Sequence, residues 1–266
     1  MQYIRTMAIY RGSRKHILDW VESETFLDQL TTLLQPTGAL PQMGTWLPLG
    51  WKDPGEARLE TYGPRHLPTA TGWSDLKRWW IRYNGTTPNW DLAATGEFAG
   101  KSGIILVEAK ANVSELKATG KVPQPNSTRE SCQNHLRIGA AIAQAQEGLS
   151  AVIPGIKISI DTHYQLSNRL AFAWKLASLG VPTVLMYLGF VGDKGISDAG
   201  ESLHDSDHWR RVFLAHAAGV APRESFDRMI LINETPMWIL IRSQSVLQQS
   251  LSRAEFLQAR RAAPSC

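Results

Sequence analysis

Three ionisable residues have a spacing that could bring them into one site. Glu108 and Lys110 lie two residues apart after the apolar segment 104–107, and Asp91 precedes them in the chain. Because side chains alternate between the two faces of a strand, Glu108 and Lys110 are expected to project from the same face. If the strand after Asp91 pairs with theirs through a turn near 97–103, Asp91 comes to lie beside Glu108.

Two carboxylates and one amine suit the hydrolysis of a phosphodiester bond. Carboxylate oxygens are the hard ligands that Mg²⁺ prefers, and we expect Mn²⁺ to substitute for it. Such an ion polarises a phosphate oxygen and makes bound water easier to deprotonate. We therefore predict Asp91 and Glu108 as metal ligands, with the main-chain carbonyl of Ala109 as a further ligand. Lys110 is predicted to position or activate the attacking water.

Residues 88–91 (Pro-Asn-Trp-Asp) and 107–110 (Val-Glu-Ala-Lys) resemble the motif of the PD-(D/E)XK nuclease superfamily. Proline and aspartate are adjacent in the family pattern, whereas two residues separate Pro88 from Asp91 here. The resemblance implies an α/β, restriction-endonuclease-like fold, in which helices flank a mixed sheet with the core order α-β-β-β-α-β. It also implies a divalent metal and cleavage of nucleic acid, which we expect to be DNA.

Other residues are weaker candidates for the same site. Members of the superfamily often add an acid from the first helix; Glu22 and Glu24 are the candidates, although each could be an ordinary exposed carboxylate. Gln165 could orient water or phosphate, or could simply begin a helix. Arg169 and Lys175 could line the same groove or merely solvate that helix.

Two further motifs are interpreted as structural. Residues 95–102 approach the phosphate-loop pattern G-x-x-x-x-G-K-[ST], but the first position is a threonine and an apolar strand follows, so we predict a hairpin turn. His204, His208 and His216 have a spacing that metal ligands can have. Residues 204–207, however, are typical of a loop that leads into a helix cap, and we predict no zinc site there.

Two interpretations compete with a nuclease. The chain could be a non-catalytic nucleic-acid-binding or assembly module that retains the nuclease fold. It could also be an α/β protein of another class in which Glu108 and Lys110 only form an ion pair. A nuclease alone predicts cleavage that depends on Mg²⁺ or Mn²⁺ and that EDTA abolishes.

Hydrophobic periodicity predicts the elements that position the site. Residues 14–34 predict a helix broken near Ser23, and the segment 36–75, rich in Pro and Gly, predicts an irregular insertion or small subdomain. Three short antiparallel strands are predicted next, the third of them central: 78–83, 90–95 and 104–110. Helices are then predicted at 129–147, 164–179 and 207–217, and strands at 183–189 and 238–242.

Composition sets the remaining expectations. The 266 residues, 43% hydrophobic and 20% charged, suit a single nuclease-like domain (1–266) with a core at about 78–190 and a C-terminal extension at 195–266. Two cysteines and no targeting segment favour a cytoplasmic protein, and no run approaches the ~18 apolar residues of a membrane span. A net charge of +4 permits a polyanionic partner, with the loop 117–129 as a candidate contact. A homodimer is a further expectation, since many restriction-type enzymes dimerise.

Overall fold

The computed structural model describes residues 10–67, 72–123, 127–193 and 200–246. In these ranges the chain forms an α/β structure built on a mixed six-stranded sheet, with a separate pair of short strands beside it. The helices are α1 (Gly12–Val21), α2 (Phe26–Leu33), α3 (Leu59–His66), α4 (Trp73–Trp80), α5 (Arg129–Ser150), α6 (Tyr164–Ser178) and α7 (Ser206–Ala217). The strands are β1 (Leu40–Pro41), β2 (Ala57–Arg58), β3 (Asn89–Trp90), β4 (Leu92–Phe98), β5 (Lys101–Lys110), β6 (Thr183–Val191), β7 (Met229–Ile232) and β8 (Thr235–Ser245).

The order of the large sheet is β1-β4-β5-β6-β8-β7. Strands β4 and β5 are antiparallel neighbours, whereas β5, β6 and β8 run parallel to one another. Parallel neighbours need a crossover connection, and α5 and α6 provide it between β5 and β6. The carboxyl end of β5 therefore leads into this crossover, and the amino-terminal end of α6 lies beside it.

Alternation along β5 divides the core into two layers. Ile104 and Leu106 pack with residues of α4, α5 and α6, whereas Ile105 and Val107 pack with residues of α1 and α2. Each of these fully buried aliphatic side chains contributes about 1.5–3 kcal/mol by leaving water. Glu108 continues the face of Ile104 and Leu106, so the predicted alternation is confirmed.

A tight hairpin joins β4 to β5. Leu92 pairs with Val107 at one end of the register, and Phe98 pairs with Lys101 at the turn. Between them Ala99 has φ 49° and Gly100 has φ 82°. Two successive positive φ values are what a two-residue hairpin turn requires. The hairpin interpretation of residues 95–102 is confirmed.

Most predicted elements are confirmed. The N-terminal helix is broken around Ser23, since α1 ends at Val21 and α2 begins at Phe26. Helices α5, α6 and α7 and strands β6 and β8 form where periodicity predicts them, and none of the described helices is both long and apolar enough to cross a membrane.

The strand predicted at 78–83 is wrong, because α4 occupies the first half of that segment and no strand forms in the second half. Its buried side chains recur at intervals of three and four residues: Trp73, Leu76, Trp79 and Trp80. This helical period outweighs the preference of aromatic residues for strands. The strand that pairs with the outer side of β4 is instead β1, which lies in the segment 36–75 expected to be irregular.

Candidate active site

Asp91, Glu108 and Lys110 line one cleft with a volume of about 720 Å³, which we call the main cleft. Glu108 and Lys110 end β5, and Asp91 stands between the short strand β3 and strand β4. The hairpin register carries Asp91 next to the end of β5, as predicted. The main cleft opens at the carboxyl end of β5, where α6 also begins.

A main-chain hydrogen bond holds Asp91 in place. The amide nitrogen of Ala109 donates to Asp91 Oδ2 at 2.8 Å. Burial and the neighbouring Glu108 carboxylate raise the pKa of Asp91 to about 7, and Lys110 and Arg169 only partly oppose them. Near neutral pH, Asp91 is therefore a carboxyl group that gains or loses a proton easily.

Glu108 lies between two cations. Its Oε1 accepts from Lys110 Nζ at 2.6 Å, and its Oε2 accepts from Arg169 Nε at 2.6 Å. Burial favours the neutral acid, but Arg169 and Lys110 outweigh it and hold the pKa of Glu108 below its ordinary value. Burial likewise disfavours the Lys110 cation, yet Glu108 and Asp91 raise the pKa of Lys110 above its ordinary value. Glu108 and Lys110 are thus charged.

Arg169 is fixed by four groups, one of which is Asn168, whose Oδ1 accepts from Arg169 Nη1 at 3.2 Å. Besides its contact with Glu108, Arg169 donates through Nη2 to the carbonyl of Asn89 at 2.7 Å, and its guanidinium lies 4.4 Å from the centre of the Trp90 ring. Only 7% of Arg169 is exposed. The prediction that Arg169 lines the groove is confirmed, but its partnership with Glu108 was not foreseen from the sequence. The signal in the sequence for Arg169 was its spacing of four residues from Gln165, which places both side chains on one face of the helix.

Gln165 stands in the first turn of α6 and lines the main cleft, as predicted. Its side-chain amide has no hydrogen-bond partner within the described ranges, so it is available to a ligand. Lys175 does not reach the main cleft; its Nζ lies 5.5 Å from the ring centre of Trp79 and 5.9 Å from that of Trp174. The suggestion that Lys175 lines the groove is therefore wrong, because it lies almost three turns further along α6.

The acids expected from the first helix do not join the cleft. Glu22 accepts a hydrogen bond from the Trp51 amide at 2.7 Å, and Glu24 is exposed outside the cleft. Glu115, in the turn after β5, lines the cleft instead. Burial raises the pKa of Glu115, although Lys110 and a hydrogen bond from Ser13 on α1 oppose the shift.

The basic loop 117–129 contributes four residues to the cleft, Lys117, Thr119, Gly120 and Lys121. Lys117 and Lys121 are the two basic residues among them, and Lys121 Nζ lies 5.2 Å from the ring centre of Tyr164. Residues 124–126 of this loop are outside the described ranges. The described part therefore places two cations at the mouth of the site.

Two of the three histidines lie together with Glu201, and the ligand atoms of Glu201, His204 and His208 are within 4.8 Å of one another, close enough to hold a metal ion. The absence of a zinc site there stays a prediction. Asp205 caps α7 by accepting from the His208 amide at 2.7 Å, so the predicted cap is confirmed. The His204 amide donates to His208 Nδ1, and His208 Nε2 lies 3.4 Å from Glu201 Oε1. His216 lies elsewhere, against the ring of His163.

In comparisons with known proteins, no protein family, no curated protein and no solved structure matches this chain. The interpretation of the main cleft therefore rests on its own residues.

Proposed function

We propose that this protein is a metal-dependent nuclease with a restriction-endonuclease-like fold that hydrolyses phosphodiester bonds in DNA. One observation carries the proposal: Asp91, Glu108 and Lys110 converge on one cleft at the end of a buried strand. The antiparallel hairpin β4–β5, followed by a helical crossover to a parallel strand, supports the fold assignment. A homodimer stays a prediction.

The residues of the cleft fit a divalent ion. Asp91 and Glu108 supply the hard oxygen donors that Mg²⁺ or Mn²⁺ prefers, and the Ala109 carbonyl is the further candidate ligand. Burial first and the Glu108 carboxylate second raise the pKa of Asp91 to about 7, and a cation bound at this carboxylate would oppose both effects. When bound, the ion would polarise a phosphate oxygen and acidify a water molecule.

The other side chains have separate roles in this proposal. Lys110 holds the attacking water and offsets negative charge that develops on the phosphate. Gln165, whose amide has no partner in the described ranges, orients water or a phosphate oxygen. Arg169 is a positioning residue, since it holds Glu108 and the Asn89 main chain together.

A second candidate function has one observation in its favour. Both carboxylate oxygens of Glu108 already have cationic partners, as in a purely structural ion-pair network. A non-catalytic nucleic-acid-binding module would need no more than that. The two functions differ in turnover, and one variant distinguishes them.

We expect Lys110→Ala to lower the rate of DNA cleavage about 10²- to 10⁴-fold while the protein stays folded. Arg169 still compensates Glu108 in this variant, so the buried carboxylate keeps one partner. The rate would be measured with labelled DNA in Mg²⁺ or Mn²⁺, and EDTA should abolish cleavage by the parent. Lys175→Ala is the matched control, because Lys175 lies outside the cleft, and it should cut at the parental rate.

Two outcomes would contradict the nuclease. A parent protein that binds DNA but does not cut it with either metal would favour the non-catalytic module. A Lys110→Ala variant that cuts as fast as the parent would show that Lys110 is only half of a structural ion pair.

A further inference from the structure

A second cleft adjoins the main cleft. It encloses about 570 Å³, within the range of roughly 300–1,000 Å³ typical of ligand pockets. We call it the side cleft; its lining residues include Tyr10, Arg14, Thr61 and the three that it shares with the main cleft, Glu56, Arg58 and Asn89. The two clefts are therefore neighbours that share part of their walls.

Asn89 forms the wall between the two clefts. Its side chain accepts from Arg58 Nε at 2.9 Å and donates to Glu56 at 2.8 Å, and its carbonyl accepts from Arg169. Asn89 therefore contacts both Arg169, which holds Glu108, and Arg58, which lines both clefts. A ligand that passes Asn89 from one cleft to the other stays in contact with residues of the main cleft.

The side cleft presents an aromatic ring and two guanidinium groups. The Arg14 guanidinium lies 5.6 Å from the ring centre of Tyr10, and Arg14 Nη1 lies 3.4 Å from Glu56 Oε1. Arg58 is exposed, and the only hydrogen bond of its guanidinium in the described ranges is the one through Nε. Its terminal nitrogens can therefore accommodate a phosphate oxygen.

The proposed catalytic groups of the main cleft are almost fully buried. Glu108 is 2% exposed and Lys110 6%. A phosphodiester must enter the cleft to reach them, and an unpaired strand does so more easily than a strand held in a duplex. Unpaired bases also offer their faces for stacking on aromatic side chains, whereas those of a duplex are buried in the stack.

We propose that the substrate is an unpaired DNA strand that continues from the main cleft into the side cleft. Arg58 contacts the phosphate that crosses the Asn89 wall, and the base of the next nucleotide stacks on Tyr10. This inference rests on the proposed function, since it specifies the substrate of the same site.

The test compares a single strand with a duplex of the same sequence. Binding of each labelled DNA would be measured by fluorescence anisotropy with Mg²⁺ present, in the slowly cleaving Lys110→Ala background. We expect Tyr10→Ala to weaken single-strand binding about 5- to 150-fold, the range for loss of one stacked base, and to leave duplex binding unchanged. Tyr10→Phe keeps a stacking ring and should bind like its background.

Tyr83→Ala is the matched control. Tyr83 also has an arginine 5.6 Å from its ring centre, Arg82, but it lines neither cleft. It should leave binding of both forms unchanged. The inference is wrong if Tyr10→Ala binds the single strand like its background, or if it weakens both forms equally. In either case the background protein still binds DNA, whereas failure of the proposed function appears as no metal-dependent cleavage by the parent.

Discussion

At the scale of single residues, Asp91 connects stability to function. Its pKa is raised from 3.8 to about 7, first by burial and then by Glu108. A carboxyl group with a raised pKa stabilises the fold below its unfolded pKa, and this contribution is lost as the pH rises through the folded value. The metal-free protein should therefore lose stability between pH about 4 and pH about 7 through this group.

We expect Asp91→Asn to stabilise the metal-free protein above neutral pH by roughly 1–3 kcal/mol and to leave stability unchanged near pH 4. Asparagine does not ionise, yet its side-chain oxygen can still accept from the Ala109 amide. Thermal or urea unfolding across this pH range measures the difference. The same variant should lose metal affinity and cleavage. An equal change in stability at both ends of the range would show that the ionisation of Asp91 does not cause it.

The central residues could be predicted because local rules connect them. A period of two places Glu108 and Lys110 on one face, and a two-residue hairpin brings Asp91 beside them. The pairing of Arg169 with Glu108 spans 61 residues and depends on how α6 packs against the sheet. No local pattern encodes that packing. The suggestion that Glu22 or Glu24 joins the site was wrong for the same reason, because their position depends on how α1 lies across the sheet.

At the scale of elements, the packing of α5 against α6 depends on Gly148. A Cβ added at Gly148 would overlap the Trp174 ring of α6, whereas one added at Gly139, on the same helix, would meet only the far end of Ile160 at 3.8 Å. We expect Gly148→Ala to destabilise the protein by about 1–3 kcal/mol through overpacking.

Gly139→Ala is the control within the same helix, and it should stabilise by about 0.5–1 kcal/mol because alanine is the better helix former. Urea unfolding of both variants measures the contrast. A similar change in the two would show that helix propensity, rather than contact with α6, decides the effect.

The misassigned strand has a physical explanation at this scale. Residues 78–83 are rich in aromatic side chains, which favour strands by preference alone. The buried residues of α4 begin before this segment, at Trp73. Their helical spacing can be recognised only when the stretch of sequence considered extends back to Leu76. The pairing of β1 with β4 involves only two residues, and no periodicity can be recognised in so short a segment. Long periodic elements were therefore predictable, and short ones defined by their partners were not.

At the scale of the whole molecule, the cations at the cleft mouth should set the salt dependence of DNA binding. Affinity is expected to fall with ionic strength with a log–log slope of about −0.9 per phosphate contacted. Lys117→Ala and Lys121→Ala should each reduce the slope by about 0.9, since both residues line the main cleft. Titrations at several salt concentrations measure it. Lys175→Ala should leave the slope unaltered, and a change there would mean that DNA also lies against the carboxyl-terminal part of α6.

The pairing of Glu108 with two cations has a consequence for the order of binding. With Asp91 protonated, the four groups Asp91, Glu108, Lys110 and Arg169 together carry one net positive charge, and with Asp91 ionised they are neutral. A divalent cation alone gains little from such a site, whereas a phosphodiester brings the missing negative charge. Metal and DNA should therefore bind cooperatively, each raising the affinity for the other by the same factor. Mn²⁺ titrated with and without a non-hydrolysable DNA measures this factor, and equal affinities would mean that the metal enters a site already prepared for it.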